Sequence, residues 1–229
     1  MKTTSIVILA IVLFASTNAL TAQDIIRAVN FARKNPKIVA QRIAARYAGK
    51  TAPLYDPNCY TEAVNWLNVQ PSLPPLAENA GVDLATYRHS KYLVTIATRL
   101  SHTGEGGSLV DKRLLAVGQW TSSYSLTEVM AATYRQDTVF ISADEFVEMW
   151  IIDEGQRCRG YRYSVFDTRV TELGCGVYQG PKTRNGVSVT ATMVNCVGVK
   201  GYAINAAGIA LLPEAGLTMA KNGVKFTGV

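Results

Sequence analysis

Asn185-Gly186 stands between two runs that read as strands, and this pairing constrains the chain more than any other stretch. Asn-Gly is the strongest short hairpin signal, because both central residues of a type I′ turn need positive φ. After it, Val187, Val189, Ala191, Met193 and Asn195 alternate with Ser188, Thr190 and Thr192, the period of a strand. Before it, Val170 to Tyr178 reads as the partner strand. If Arg184 faces Val187, facing positions sum to 371, and Cys175 then faces Cys196. Their β-carbons would lie about 4.5–5.5 Å apart, a small adjustment from the roughly 3.5–4.5 Å of a disulfide. Gly180-Pro181 interrupts the first strand, and a longer loop there would shift the register.

The chain opens on Lys2 and an unbroken apolar run from Ile6 to Ala15, followed by small residues. The run is about half of the roughly 20 residues a membrane span needs. Residues 1–22 therefore read as a secretory leader cut after Ala19 or Ala22, and no later run is long enough to cross a bilayer. The cysteines, Cys59, Cys158, Cys175 and Cys196, are even in number, which behind a leader argues for two disulfides and allows three connectivities. The turn register favours Cys175–Cys196 and leaves Cys59–Cys158. No pair has Cys-x-x-Cys spacing, so a zinc knuckle or redox motif is not expected. The 23 basic residues less Lys2, against 17 acidic, leave a net charge of +5. They form no dense run, which implies weak attraction to anionic surfaces and no nucleic-acid footprint.

The first half reads as helical. Ile25, Ile26, Val29 and Ala32 recur at helical spacing after Asp24, a fitting N-cap. Asn35-Pro36 opens a second helix, and Thr61 to Leu67 forms a short third. Val82, Ala85, His89, Tyr92, Ile96 and Leu100 share one face of a long helix, which makes His89 a core histidine held by a neighbour. Ser142-x-x-Glu145 is a capping box for a further helix bearing Phe146, Met149 and Trp150. Helices first, then a meander with one intervening helix, give an α+β fold in three α-β-α layers around a small antiparallel sheet. The domain spans 23–200, and 201–229 reads as a loosely packed C-terminal extension.

Several motifs occur in order. They are Asn30-Phe-Ala-Arg33-x-Asn35-Pro36, Leu84-Ala-x-x-Arg88-His89-Ser90, and His102-Thr-Gly-x-Gly-Gly-Ser108 followed by Arg113 and Glu128. Trp150-x-x-Asp153-Glu-Gly155, Arg159-Gly-Tyr-Arg-x-x-Val-Phe166 and Leu173-Gly-Cys-Gly176 follow. In these the chain resembles the cysteine-rich secretory, antigen 5 and pathogenesis-related (CAP, or SCP-like) superfamily, over roughly Ile25 to Val199. The resemblance implies secretion, an α-β-α sandwich and a central cleft lined by two histidines and two acids that can hold a divalent metal. Here the first His falls on His102, the acids on Glu128 and Asp153, and the second His on Tyr161. A phenol with a pKa near 10 is a poor ligand at neutral pH. A metal such as zinc on His102, Glu128 and Asp153 would thus be held weakly or not at all.

Gly-x-Ser-x-Gly is absent, and no catalytic residue or cofactor is expected. The resemblance implies a monomeric, non-enzymatic protein that binds a lipid, a sterol or an extracellular protein through the cleft. The alternative is a secreted metal-dependent hydrolase or protease using the same residues.

Overall fold

The computed structural model describes residues 19–50, 56–136, 141–220 and 223–226. The leader expected over 1–22 lies outside the described residues up to position 18. The first helix, α1 (Ala22–Lys34), begins where that leader ends. Its N-cap is Thr21, whose Oγ1 accepts the Asp24 amide. Asp24, read from sequence as the cap, is the third helical residue, and its carboxylate accepts the Thr21 N–H in return. The bond needs a non-helical residue three positions before its donor, which only Thr21 supplies. Such a cap stabilises by about 1 kcal/mol. A chain cut after Ala19 keeps it, whereas one cut after Ala22 loses it.

Proline opens α2 (Pro36–Arg46), and α3 (Cys59–Val69) extends the expected short helix at both ends. A two-residue strand β1 (Ala77–Glu78) precedes α4 (Ala80–Thr95), whose Gly81 and Val82 amides are capped by the Asn79 side chain. Ile96 and Leu100, expected on the apolar face of α4, lie beyond its end and are exposed. Then come α5 (Val110–Leu115), β2 (Gly118–Arg135) and α6 (Ala143–Ile152), the last with the expected Ser142–Glu145 capping box. The remaining elements are α7 (Gly160–Val165), β3 (Glu172–Arg184), β4 (Val187–Ile204), α8 (Ala206–Leu211) and a hairpin of β5 (Leu217–Ala220) with β6 (Gly223–Phe226).

The fold is α+β in three layers. The main sheet has the order β1-β3-β4-β2, antiparallel except for the short parallel pairing of β1 with β3. Alternation along β2 and β4 divides the interior. Val129, Ala131, Val194 and Cys196 face a core built from α1, α2, α3 and α6. Met130, Met193, Val197 and Val199 face the other way, beneath α4 and α5.

The hairpin register is the one the turn demands. Asn185 and Gly186 have φ of 51° and 77°, Arg184 faces Val187, and Cys175 faces Cys196 in a formed disulfide. Closing a loop of this length stabilises by about 3 kcal/mol in the chain-entropy account. The Cys59–Cys158 pair is not formed. Cys59 is packed in the core at the start of α3, while Cys158 is exposed in the turn before α7. Under native conditions a thiol-alkylating reagent should label Cys158 at once and Cys59 only on unfolding. A Cys59–Cys158 peptide in non-reducing maps would contradict this.

The segment after 200 is not loosely packed over its first part. Gly201–Ile204 continue β4, and Tyr202, Leu212, Ala215 and Leu217 are buried against α4 and α5. Small residues masked this packing in the sequence, because no period of 2 or 3.6 runs through it.

Candidate functional site

The bottom of the site is Glu128, on a strand that the sequence did not mark. Polar and apolar residues mix along β2, and a register irregularity between Trp120 and Ser125 breaks its alternation. The Glu128 side chain is 5% exposed, so its charge must be matched. Oε1 accepts from Arg113 Nη2 and, at 3.0 Å, from Asn195 Nδ2. Oε2 lies 2.7 Å from His102 Nδ1. Burial pushes the Glu128 carboxyl up, but the His102 hydrogen bond, the Arg113 charge and the Asn195 amide outweigh it, so it sits below its ordinary value.

These bonds fix the imidazole. Glu128 can only accept, so His102 Nδ1 carries a proton, and in the neutral ring Nε2 is left as an acceptor. Tyr161 Oη lies 2.9 Å from Nε2 and donates to it in that form. Burial, and then the Asp153 and Glu128 charges, push the Tyr161 phenol up to about 12, so it stays a donor at any physiological pH. The result is a closed chain, Tyr161 to His102 to Glu128. Arg113 also holds the loop that carries His102, donating from Nη1 to the carbonyls of His102 at 2.9 Å and Ser108 at 3.0 Å.

Asp153 joins the group from behind. It ends α6 in the left-handed region at φ 50°, and its Oδ2 accepts the Tyr161 backbone N–H at 2.8 Å. It thus caps the short helix that carries Tyr161. Burial raises its carboxyl, against the pull of the Tyr161 and Arg162 amides. Between Asp153 and Tyr161 the chain is shaped by Arg159, also at φ 50°. Its guanidinium donates to Asp56, to Glu62 and to the carbonyls of Asp153 and Gln156. Arg162, 1% exposed, ties Glu62 to the carbonyls of Ile151 and Ile152. The Arg159-Gly-Tyr-Arg motif is therefore the clamp that places Tyr161, a role its spacing alone does not show.

The clamp makes stability pH-dependent. Its hydrogen bond with Arg159 lowers the Asp56 carboxyl from 3.8 to about 2. A depressed carboxyl stabilises fully above its unfolded value and loses that stabilisation as pH falls through the folded one. Between those two values, the native protein should lose stability more steeply than Asp56→Asn in urea unfolding followed against pH. Parallel curves would show that the clamp contributes nothing.

Beside Tyr161 opens a cleft of about 330 Å³. Its walls include Tyr47, Tyr60, Met130, Met149, Trp150 and Tyr161, and the polar residues Asp153, Glu154 and Gln156 also line it. Tyr47 and Tyr60 stack with ring centroids 4.3 Å apart. Trp150 is 1% exposed and its Nε1 has no hydrogen-bond partner.

The four residues matched to the family tetrad thus fall in one place, but their donors do not fit a metal. Both His102 nitrogens are engaged, Glu128 is shared by three partners, and Asp153 faces backbone amides. Among the described residues no cluster of three or more His, Cys, Asp or Glu side chains is arranged to hold an ion. Arg113 and Asn195 are the partners the sequence reading did not assign. An inward polar residue among Ala191, Met193 and Val197 was the available signal for Asn195. His89 is a buried histidine as expected, with Nε2 3.0 Å from the Ser101 carbonyl. No helix among the described residues is long and apolar enough to cross a membrane. No protein-family model matches the chain, and no curated protein sequence matches it.

Proposed function

We propose that this chain is a secreted, non-enzymatic binding protein of the CAP type that takes an apolar ligand, a lipid or a sterol, into the cleft beside Tyr161. The observation that carries the reading is the cleft itself. It is walled by the rings of Tyr47, Tyr60, Trp150 and Tyr161 and by the thioethers of Met130 and Met149. Apolar walls with few polar groups are the usual build of a small-molecule site.

The polar chain next to the cleft supports binding over catalysis. A nucleophile needs a general base with a free lone pair, and His102 Nε2 is capped by a phenol that does not ionise near pH 7. Among the described residues no group of three or more His, Cys, Asp or Glu side chains is arranged to support metal-assisted hydrolysis. Secretion rests on the leader-like N-terminus and on the disulfide, which forms in oxidising compartments.

Met149 stands at the mouth of the cleft and is 36% exposed, so Met149→Asp should leave the fold intact. The delipidated native protein should bind a fluorescent sterol or a fluorescent fatty alcohol, and Met149→Asp should weaken that binding by at least about tenfold, the cost of setting a charge against an apolar ligand. Equal binding by both proteins, or by neither, would remove the cleft as the binding site.

A further inference from the structure

The cleft beside Tyr161 is uneven in charge as well as apolar. Asp153 and Glu154 are acidic, and no Lys, Arg or His is among the described residues that line it. Lys50 stands over the Tyr47 ring, 5.1 Å from its centroid, but outside that lining. Tyr47, Tyr60 and Tyr161 are half-buried, so each keeps surface that a ligand can touch. Glu154 is exposed, whereas Asp153 is buried and acts through its field.

Both features favour a cation. The face of an aromatic ring is negative, so a cation over it is attracted, and quaternary ammonium groups are the usual guests of aromatic cages. A primary ammonium is strongly hydrated and brings three N–H donors that need acceptors. Asp153 Oδ2 already accepts the Tyr161 N–H. A quaternary ammonium has no N–H to satisfy, and its methyl groups suit rings and thioethers. The carboxylates are felt at the rings themselves. Burial, and then the Glu154 charge, raise the Tyr60 phenol, and burial, then the Asp153 charge, raise that of Tyr161. An anionic head would be repelled by both carboxylates.

We infer that the lipid this cleft takes carries a quaternary ammonium head, which lies against the tyrosine rings on the side of Glu154. The inference rests on the reading of the cleft as a lipid site and narrows its ligand. A sterol, which carries no cation, is the weaker occupant.

Decyltrimethylammonium, decanol and decanoate share one chain and differ in the charge of the head. Each is titrated below its micellar concentration into the delipidated whole protein by calorimetry, and tested for displacement of a bound fluorescent fatty alcohol. The titrations are repeated with Glu154→Gln. Decyltrimethylammonium should bind about tenfold more tightly than decanol, and decanoate more weakly than either. Glu154→Gln should weaken the cation by about threefold or more and leave decanol unchanged, which reports an intact cleft. If decanol binds and the cation binds no more tightly, the head assignment is overturned and the lipid reading stands. Cation binding that Glu154→Gln does not weaken, or that leaves the fluorescent alcohol in place, overturns it as well. If none of the three binds, the lipid reading falls and the head assignment falls with it.

Discussion

Gly176→Ala is expected to destabilise the protein by about 3 kcal/mol or more, at the upper end for overpacking because the clash is with backbone. A β-carbon at 176 would stand 2.0 Å from the Tyr87 amide nitrogen and 2.3 Å from the Thr86 carbonyl carbon. The same strand meets α4 again at Gly174, where a β-carbon would come within 2.6 Å of the Asp83 nitrogen. Helix and strand lie in direct contact there, and Ser90 Oγ donates to the Gly176 carbonyl at 2.8 Å. Alanine would force α4 off β3 and reopen both cores on that side of the sheet. Gly180→Ala is the control. Its closest neighbour is the Tyr178 ring at 3.1 Å, a side chain that can move, and the cost should stay below about 1 kcal/mol. A Gly176→Ala protein as stable as this control would show that α4 does not rest on β3 as described.

The second large effect is chemical. Tyr161→His should raise zinc affinity by at least about tenfold, because it removes the phenol that caps His102 Nε2 and supplies a second neutral imidazole. The change is read by zinc titration of both proteins under identical conditions. The clamp built on Arg159, together with the Asp153 cap, holds residue 161 through its backbone, so the new side chain should start from the same place. Equal zinc affinity would mean that position 161 does not control the site.

The turn and register of the hairpin were legible in the sequence, but its first strand runs Glu172–Arg184 straight through Gly180-Pro181 and not Val170 to Tyr178, and the site was legible only in part; the difference is physical. Asn185-Gly186 acts through local φ preference, and the register from Arg184 and Val187 to Cys175 and Cys196 follows by counting. The capping box at Ser142 is equally local. By contrast β2, the strand that carries Glu128, was not seen. Its alternation is interrupted after Trp120, and its burial comes from β4 on one side and from two helical layers above and below. The C-terminal segment was missed for a related reason. Leu212, Ala215 and Leu217 are buried by α4 and α5, more than ninety residues earlier in the chain. No short window records such a contact.

The site residues were legible as motifs but not as roles. His102, Glu128, Asp153 and Tyr161 converge, yet Asp153 serves as a helix cap and Tyr161 as a hydrogen-bond donor to His102. The elimination that left Cys59 for Cys158 failed because it carried no information on burial, and the two thiols sit in opposite environments.

The most direct test is native mass spectrometry of the folded protein as purified, before and after organic extraction. A cleft that binds an apolar ligand and a tetrad closed by Tyr161 predict a monomer with one extractable lipid or sterol, one disulfide and no stoichiometric zinc. A protein that carries one zinc per chain, releases no lipid and loses a peptidase activity with the metal on chelation would contradict the account.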